Sequence, residues 1–109
     1  VSEQQIAVEV AVRGDGVVVR VAGVMDALSL PEVSRELTDA QRGSGVVYVD
    51  LQEVTFMDSR GLGSLLAANE RSREGAAPIR IYRPSDAVRR LLEVSGVGPV
   101  LTEVTELPA

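Results

Sequence analysis

Two Val-rich runs separated by only four turn-forming residues constrain this chain most. Ile6, Val8, Val10 and Val12 alternate with Ala7, Glu9 and Ala11, the two-residue period of a strand with one buried face, and Val17 to Val21 is a second β-branched run. Between them stands Arg13-Gly14-Asp15-Gly16. A parallel return needs a crossover of about a dozen residues or more, so these two strands must form an antiparallel hairpin. Helix and strand patterns alternate in the rest of the chain, which demands parallel crossovers. The expected fold is α/β: a mixed sheet with an N-terminal antiparallel hairpin, then parallel βαβ crossovers, packed with helices. Pattern alone leaves open whether the helices cover one face or two.

After the hairpin, Ala22-Gly23-Val24-Met25-Asp26 reads as a loop leaving the sheet. Ser29-Leu30-Pro31-Glu32 has the form of a capping box, with Leu30, Val33, Leu37 and Ala40 as the buried stripe of a first helix that Arg42-Gly43 ends. Val46 to Asp50 is a short strand buried on both faces. A second helix ends near Glu74-Gly75, and Ile79 to Tyr82 forms a strand. Ser85-Asp86 caps a third helix whose Val88, Leu91 and Leu92 face the core and which Ser95-Gly96 closes. Val100 to Val104 fits either a last strand or the start of a helix, and Glu106 to Ala109 is expected to fray. At 109 residues without internal repeats or linkers, residues 1–109 are expected to form a single domain.

Chemistry concentrates between the buried strand and the second helix, at Phe56-Met57-Asp58-Ser59-Arg60-Gly61-Leu62-Gly63. Leu62, Leu65, Leu66 and Asn69 recur at helical spacing, so this stretch is a turn feeding a helix N-terminus. Backbone N–H groups there lack intrahelical partners and carry partial positive charge, which suits a hydroxyl cap, a phosphate or a carboxylate. Ser59 is the residue best placed to use them. Other chemistries are excluded by residue type. All 11 cations are Arg, and the chain has no Cys and no His, which removes disulfides, thiol and imidazole catalysis, the usual zinc ligands and the Lys of a Walker loop. A lone Ser without a basic partner has no evident base for hydrolysis. The net charge of -5 disfavours nucleic-acid binding. Without a membrane-length apolar run or a signal-peptide pattern, the chain is expected to be soluble and cytoplasmic, with no membrane partner.

Three segments in order resemble a known family. Val54-Thr55-Phe56-Met57-Asp58-Ser59-Arg60-Gly61-Leu62-Gly63 resembles the signature of the STAS domain, specifically of stand-alone bacterial anti-sigma factor antagonists. Gly23-Val24-Met25-Asp26 stands where that family has a Gly, an acidic residue, an apolar residue and Asp. Val88 to Gly96 is similar to its C-terminal helix, so the likeness covers nearly the whole chain. Two positions depart from the family pattern: Arg60 replaces a small Ser or Thr, and Val24 replaces the acidic loop residue.

The resemblance implies a partner switch. The unphosphorylated antagonist binds an anti-sigma factor, itself a Ser/Thr kinase with a histidine-kinase-type ATP fold, and so frees a sigma factor. The kinase phosphorylates the Ser after the motif Asp, here Ser59, which abolishes binding, and a metal-dependent phosphatase reverses the modification. The chain is then a substrate and binder, not an enzyme, with no cofactor and no metal. Its partner surface would comprise Asp26, Asp58, Ser59, Arg60, Gly61, Leu62 and Gly63, with Leu62 as the exposed apolar contact. The new phosphate would meet free helix N–H groups.

Plainer readings stand beside these. Ser59 alone fits an N-cap, Asp58 a cap or turn carboxylate, and Asp26 a turn residue. Gly61 and Gly63 each cost about 1 kcal/mol in a helix relative to Ala, which either tight packing or close approach of a partner backbone would justify. Two other functions also stay open: an accessory STAS subunit of a lipid-transport ATPase, and a nucleotide-phosphate-binding module. Against the latter, Leu66 occupies the third glycine position of the dinucleotide fingerprint.

Overall fold

In the computed structural model, which describes residues 6–108, the hairpin is β1 (Ile6–Arg13) and β2 (Gly16–Met25). They pair antiparallel without a break from Ile6↔Gly23 to Arg13↔Gly16. Gly14 turns the corner at φ 61, as the first residue of a two-residue hairpin turn favours. Then come α1 (Leu30–Ala40), β3 (Val47–Met57), α2 (Ser59–Arg73), β4 (Ile79–Tyr82) and α3 (Asp86–Ser95). A 3₁₀ turn at Gly98–Val100 leads to β5 (Glu103–Val104), so the C-terminal segment left open by its pattern contains a short strand. The sheet order is β1-β2-β3-β4-β5, with every pair after the hairpin parallel, as expected.

One hydrophobic cluster joins all three helices to the sheet. Val33 and Leu37 of α1, Leu65 of α2 and Val88 of α3 meet the same-parity strand positions, such as Val19, Val49 and Ile81, which are mutual register partners. The helices therefore share one face. Coverage stops short of the β1 edge. Ile6 is buried and Val8 partly so, but Val10 is 49% and Val12 79% exposed, so the alternation of β1 overstates its buried face.

The central strands outrun their sequence patterns. Residues 22–25, expected as loop, stay in β2, and β3 runs on to Met57. Their ladder continues through Ala22↔Glu53, Gly23↔Val54, Val24↔Phe56 and Met25↔Met57, with register shifts after Arg20 and Gly23. Such irregularities break the two-residue alternation while backbone pairing persists. Gly23 reaches φ 107, where a side chain would be strained.

The expected capping box of α1 does not form. Ser29 is itself helical in backbone conformation, and its Oγ donates to the Val24 carbonyl at 2.7 Å and accepts from Asp26 N–H at 3.0 Å. At the other end Gln41, not Arg42-Gly43, caps α1 with negative φ. Its buried amide donates to Ala68 O at 2.8 Å and Ala77 O at 2.9 Å and accepts from Arg71 Nε at 3.0 Å. That group ties α1 to α2 and to the approach to β4.

The opposite face of the sheet is polar. Asp50 of β3, 1% exposed in its side chain, takes Arg20 Nε at 3.3 Å and Arg83 Nη2 at 2.9 Å. The hydrogen bond to Asp50 raises the Arg83 pKa above its ordinary value. In the tail, expected to fray, Leu107 lies beside Val18 and Arg20 on this face, while Ala109 falls outside the described residues.

Candidate functional site at the carboxyl ends of the central strands

Met25 and Met57 are register partners on parallel strands, so Asp26 and Asp58 stand side by side at the carboxyl ends of β2 and β3. The Asp58 N–H donates to Met25 O at 3.2 Å and locks the two strand ends together. In open α/β sheets ligands bind outside the carboxyl ends of the strands. Asp26 is a turn residue here, its Oδ1 accepting from Leu28 N–H at 3.0 Å and Ser29 N–H at 3.3 Å.

Asp58, not Ser59, is the N-cap of α2. Its backbone is extended and its Oδ1 accepts from Arg60 N–H at 2.9 Å and Gly61 N–H at 3.0 Å. Ser59 is thereby displaced to the first helical position, where its side chain is exposed, as expected for a modifiable hydroxyl. One expectation fails with this geometry: two of the N–H groups a phosphate would meet are already taken by a carboxylate. Arg60 is exposed and makes no ion pair among the described residues.

The two glycines divide. A Cβ on Gly61 would lie 2.5 Å from Met25 O and 2.9 Å from both Met25 Cβ and Met57 Cγ, so tight packing of α2 on the strand ends explains that glycine. Around Gly63 nothing lies within 4 Å, so tight packing within the chain does not account for that glycine. Leu62 corrects a further expectation. It is 4% exposed and belongs to the core with Leu65, because the inward face of α2 begins at Gly61.

Exposed apolar surface comes instead from two residues outside the expected set. Leu28, between the Asp26 turn and α1, is 77% exposed, and Phe56, two residues before the cap, is 51% exposed. Phe56 walls a shallow groove with Leu91 and Val94 of α3. Phe56 had a signal in the sequence: it is the chain's one Phe and lies within the motif. Leu28 had none beyond falling outside the α1 periodicity. The rim thus carries Asp26, Asp58, Ser59 and Arg60 as its polar groups, with Leu28 and Phe56 as exposed apolar side chains.

The family model described as "Mlab, STAS domain" matches residues 8–103. The chain belongs to the STAS domain family. Among STAS relatives, the anti-sigma-B factor antagonist of Listeria monocytogenes is 34% identical over 98 residues, covering 88% of this chain and 86% of the relative. The fold matches an anti-sigma factor antagonist from Mycobacterium paratuberculosis with TM-score 0.81 at 22% identity, covering 94% of this chain and 87% of that one. It also matches the antagonist SpoIIAA in its unphosphorylated form with TM-score 0.74 at 24% identity, covering 92% of this chain and 90% of that one. These likenesses bear out the STAS resemblance read from the motif segments and the mixed-sheet architecture.

Proposed function

We propose that this STAS domain is an anti-sigma factor antagonist. Its unphosphorylated form binds an anti-sigma factor kinase and releases a sigma factor, and phosphorylation of Ser59 ends that binding. The observation that carries this reading is the exposed hydroxyl of Ser59 on the first turn of α2, directly after a capping Asp, in a chain 34% identical to named antagonists. A metal-dependent phosphatase restores the binder, and the exchange takes place in the cytoplasm. No catalytic role falls to the chain itself. A nucleotide-phosphate site is disfavoured because the Asp58 carboxylate occupies the helix N–H groups such a phosphate needs.

The test is incubation with the cognate anti-sigma kinase and ATP, followed by mapping of the label and capture of partners by the unmodified protein. Label confined to Ser59, absent from Ser59→Ala, and loss of the captured kinase on phosphorylation support the reading. Equal labelling of Ser59→Ala would overturn it, and capture of a lipid-transport ATPase in place of a kinase would favour the accessory-subunit alternative.

A further inference from the structure

The two edges of the sheet differ sharply. One is β5, only two residues long and thus protected by its shortness. The other is β1, eight residues paired to β2 without a bulge or a Pro, whose charged residues are Glu9 and Arg13. Arg13 and Gly16 close a two-residue turn, and such a closing pair is hydrogen-bonded across the hairpin. The alternate residues Val8, Val10 and Val12 therefore direct their N–H and C=O groups outward. The exposed valine side chains at 10 and 12 flank this open ladder on the helix side, and Glu9, Ala11 and Arg13 flank it on the polar side.

We propose that the β1 edge is a self-association surface whose occupant is a second copy of this chain. The two β1 strands pair antiparallel about a twofold axis at Ala11 and continue the sheet from one copy into the other. The charge pattern selects this register. With the axis at Ala11, Glu9 of each copy lies across from Arg13 of the other, and Val10 across from Val12. Directly opposed side chains of opposite charge attract at about 5 Å. An axis at Glu9 would set the two glutamates against each other, and an axis at Val10 would place Glu9 opposite Ala11 and leave Arg13 opposite Ala7. Arg13 makes no ion pair within its own copy among the described residues, and Glu9 reaches Arg20 only at 3.7 Å with its side chain 76% exposed.

The overlap spans only the residues from Glu9 to Arg13, well below the ~1,200 Å² at which stable interfaces begin, so the dimer is weak. It also leaves Ser59 free. Residues 9–13 lie beside the start of β2, whereas Ser59 follows the far end of the parallel strand β3. Each dimer thus offers two independent phosphorylation rims.

The experiment is sedimentation analysis of the full chain up to ~1 mM, the range in which weak association is read. Wild type is compared with Glu9→Arg, Arg13→Glu, their equimolar mixture, and Val12→Lys. Wild type is expected to approach twice the monomer mass, and each charge variant alone to require at least about tenfold higher concentration to do so. The mixture is expected to recover dimerisation, because in the mixed pair each cation again faces a carboxylate, with the charges of positions 9 and 13 exchanged on one side of the axis. Val12→Lys tests the edge independently at an exposed position, with melting curves confirming that every variant is folded. A wild type that stays monomeric throughout would overturn the proposal. So would failure of the mixture to recover, or a Val12→Lys protein that dimerises as well as wild type.

Discussion

Substituting alanine for each of two glycines two residues apart in one helix is expected to move stability in opposite directions. Gly63 is the fifth residue of α2, with open space where its Cβ would go. Gly63→Ala therefore gains about 1 kcal/mol of helix propensity at no packing cost, raising Tm by roughly 4–8 °C in a domain near this size. Gly61→Ala has at most the same gain, but its Cβ meets the Met25 carbonyl at 2.5 Å and the Met25 and Met57 side chains at 2.9 Å. Backbone is the least yielding neighbour, so α2 must lift away from the strand ends, and overpacking of this kind costs about 1–3 kcal/mol or more. The net expectation for Gly61→Ala is a loss of roughly 1–2 kcal/mol, read as a lower urea midpoint with an unchanged slope. Partner affinity separates the pair again: if the proposed anti-sigma partner approaches over Gly63, the more stable Gly63→Ala is expected to bind it less well because of the added methyl group. Equal stability of the two variants would refute the packing argument. Undiminished binding by Gly63→Ala would refute the approach argument.

Asp58→Ala is expected to lose about 1 kcal/mol with its cap, whereas Asp58→Asn keeps an accepting oxygen and most of the stability, as thermal melts will show. Leu62→Ala is expected to cost about 2–5 kcal/mol in denaturant unfolding while the folded fraction still binds the partner, since Leu62 lies in the core. Asp50→Ala is expected to cost roughly 1.5–3 kcal/mol through lost charge-assisted hydrogen bonds, and a double-mutant cycle with Arg83→Ala should show clear non-additivity.

What was readable in the sequence was whatever local chemistry alone decides. The hairpin followed from connection length, α3 from a Ser85 cap that does accept from Val88 N–H and a Gly96 that does adopt φ 75, and Ser59 from a motif. Features set by long-range pairing were not readable. Residues 22–25 and 51–57 lose alternation at the register shifts, yet the ladder with a neighbouring strand holds them extended. Ser29 forgoes its cap because its Oγ already accepts from the Asp26 N–H while it donates to the Val24 carbonyl delivered by that same extended segment. At the rim, the identities of Asp26, Asp58, Ser59 and Arg60 were legible, but which side of α2 faces the core depends on where α2 lands on the strand ends. That landing buries Leu62, and the exposed large apolar side chains near the rim are Leu28 and Phe56.

The placement of Asp58 also changes how a phosphate at Ser59 acts. Had Ser59 been the cap, its phosphate would have been drawn onto the free N–H groups, and much of its charge would have been neutralised within the helix. With Asp58 Oδ1 already holding the Arg60 and Gly61 N–H groups, the phosphate stands outside as a second anion next to the first. It carries about −1.5 to −2 charges at pH 7. At a separation of roughly 5 Å in water, repulsion from the Asp58 carboxylate is only about 1–2 kcal/mol, and less with salt. The helix dipole offsets about 0.3–1 kcal/mol of this, so the folded domain tolerates the modification. A docked partner removes the water. At an effective dielectric near 20 the same pair of charges repels roughly four times as strongly, which lowers affinity by at least about a hundredfold. On the function proposed above, the switch is expected to lie in the change of dielectric on docking and not in a change of fold. Arg60, adjacent and without an ion pair among the described residues, is the residue able to blunt it. Arg60→Ala is therefore expected to widen the affinity gap between unmodified and phosphorylated protein while their melting temperatures stay close together. A gap that narrows in Arg60→Ala, or a phosphorylated form that melts far below the unmodified one, would contradict this electrostatic account.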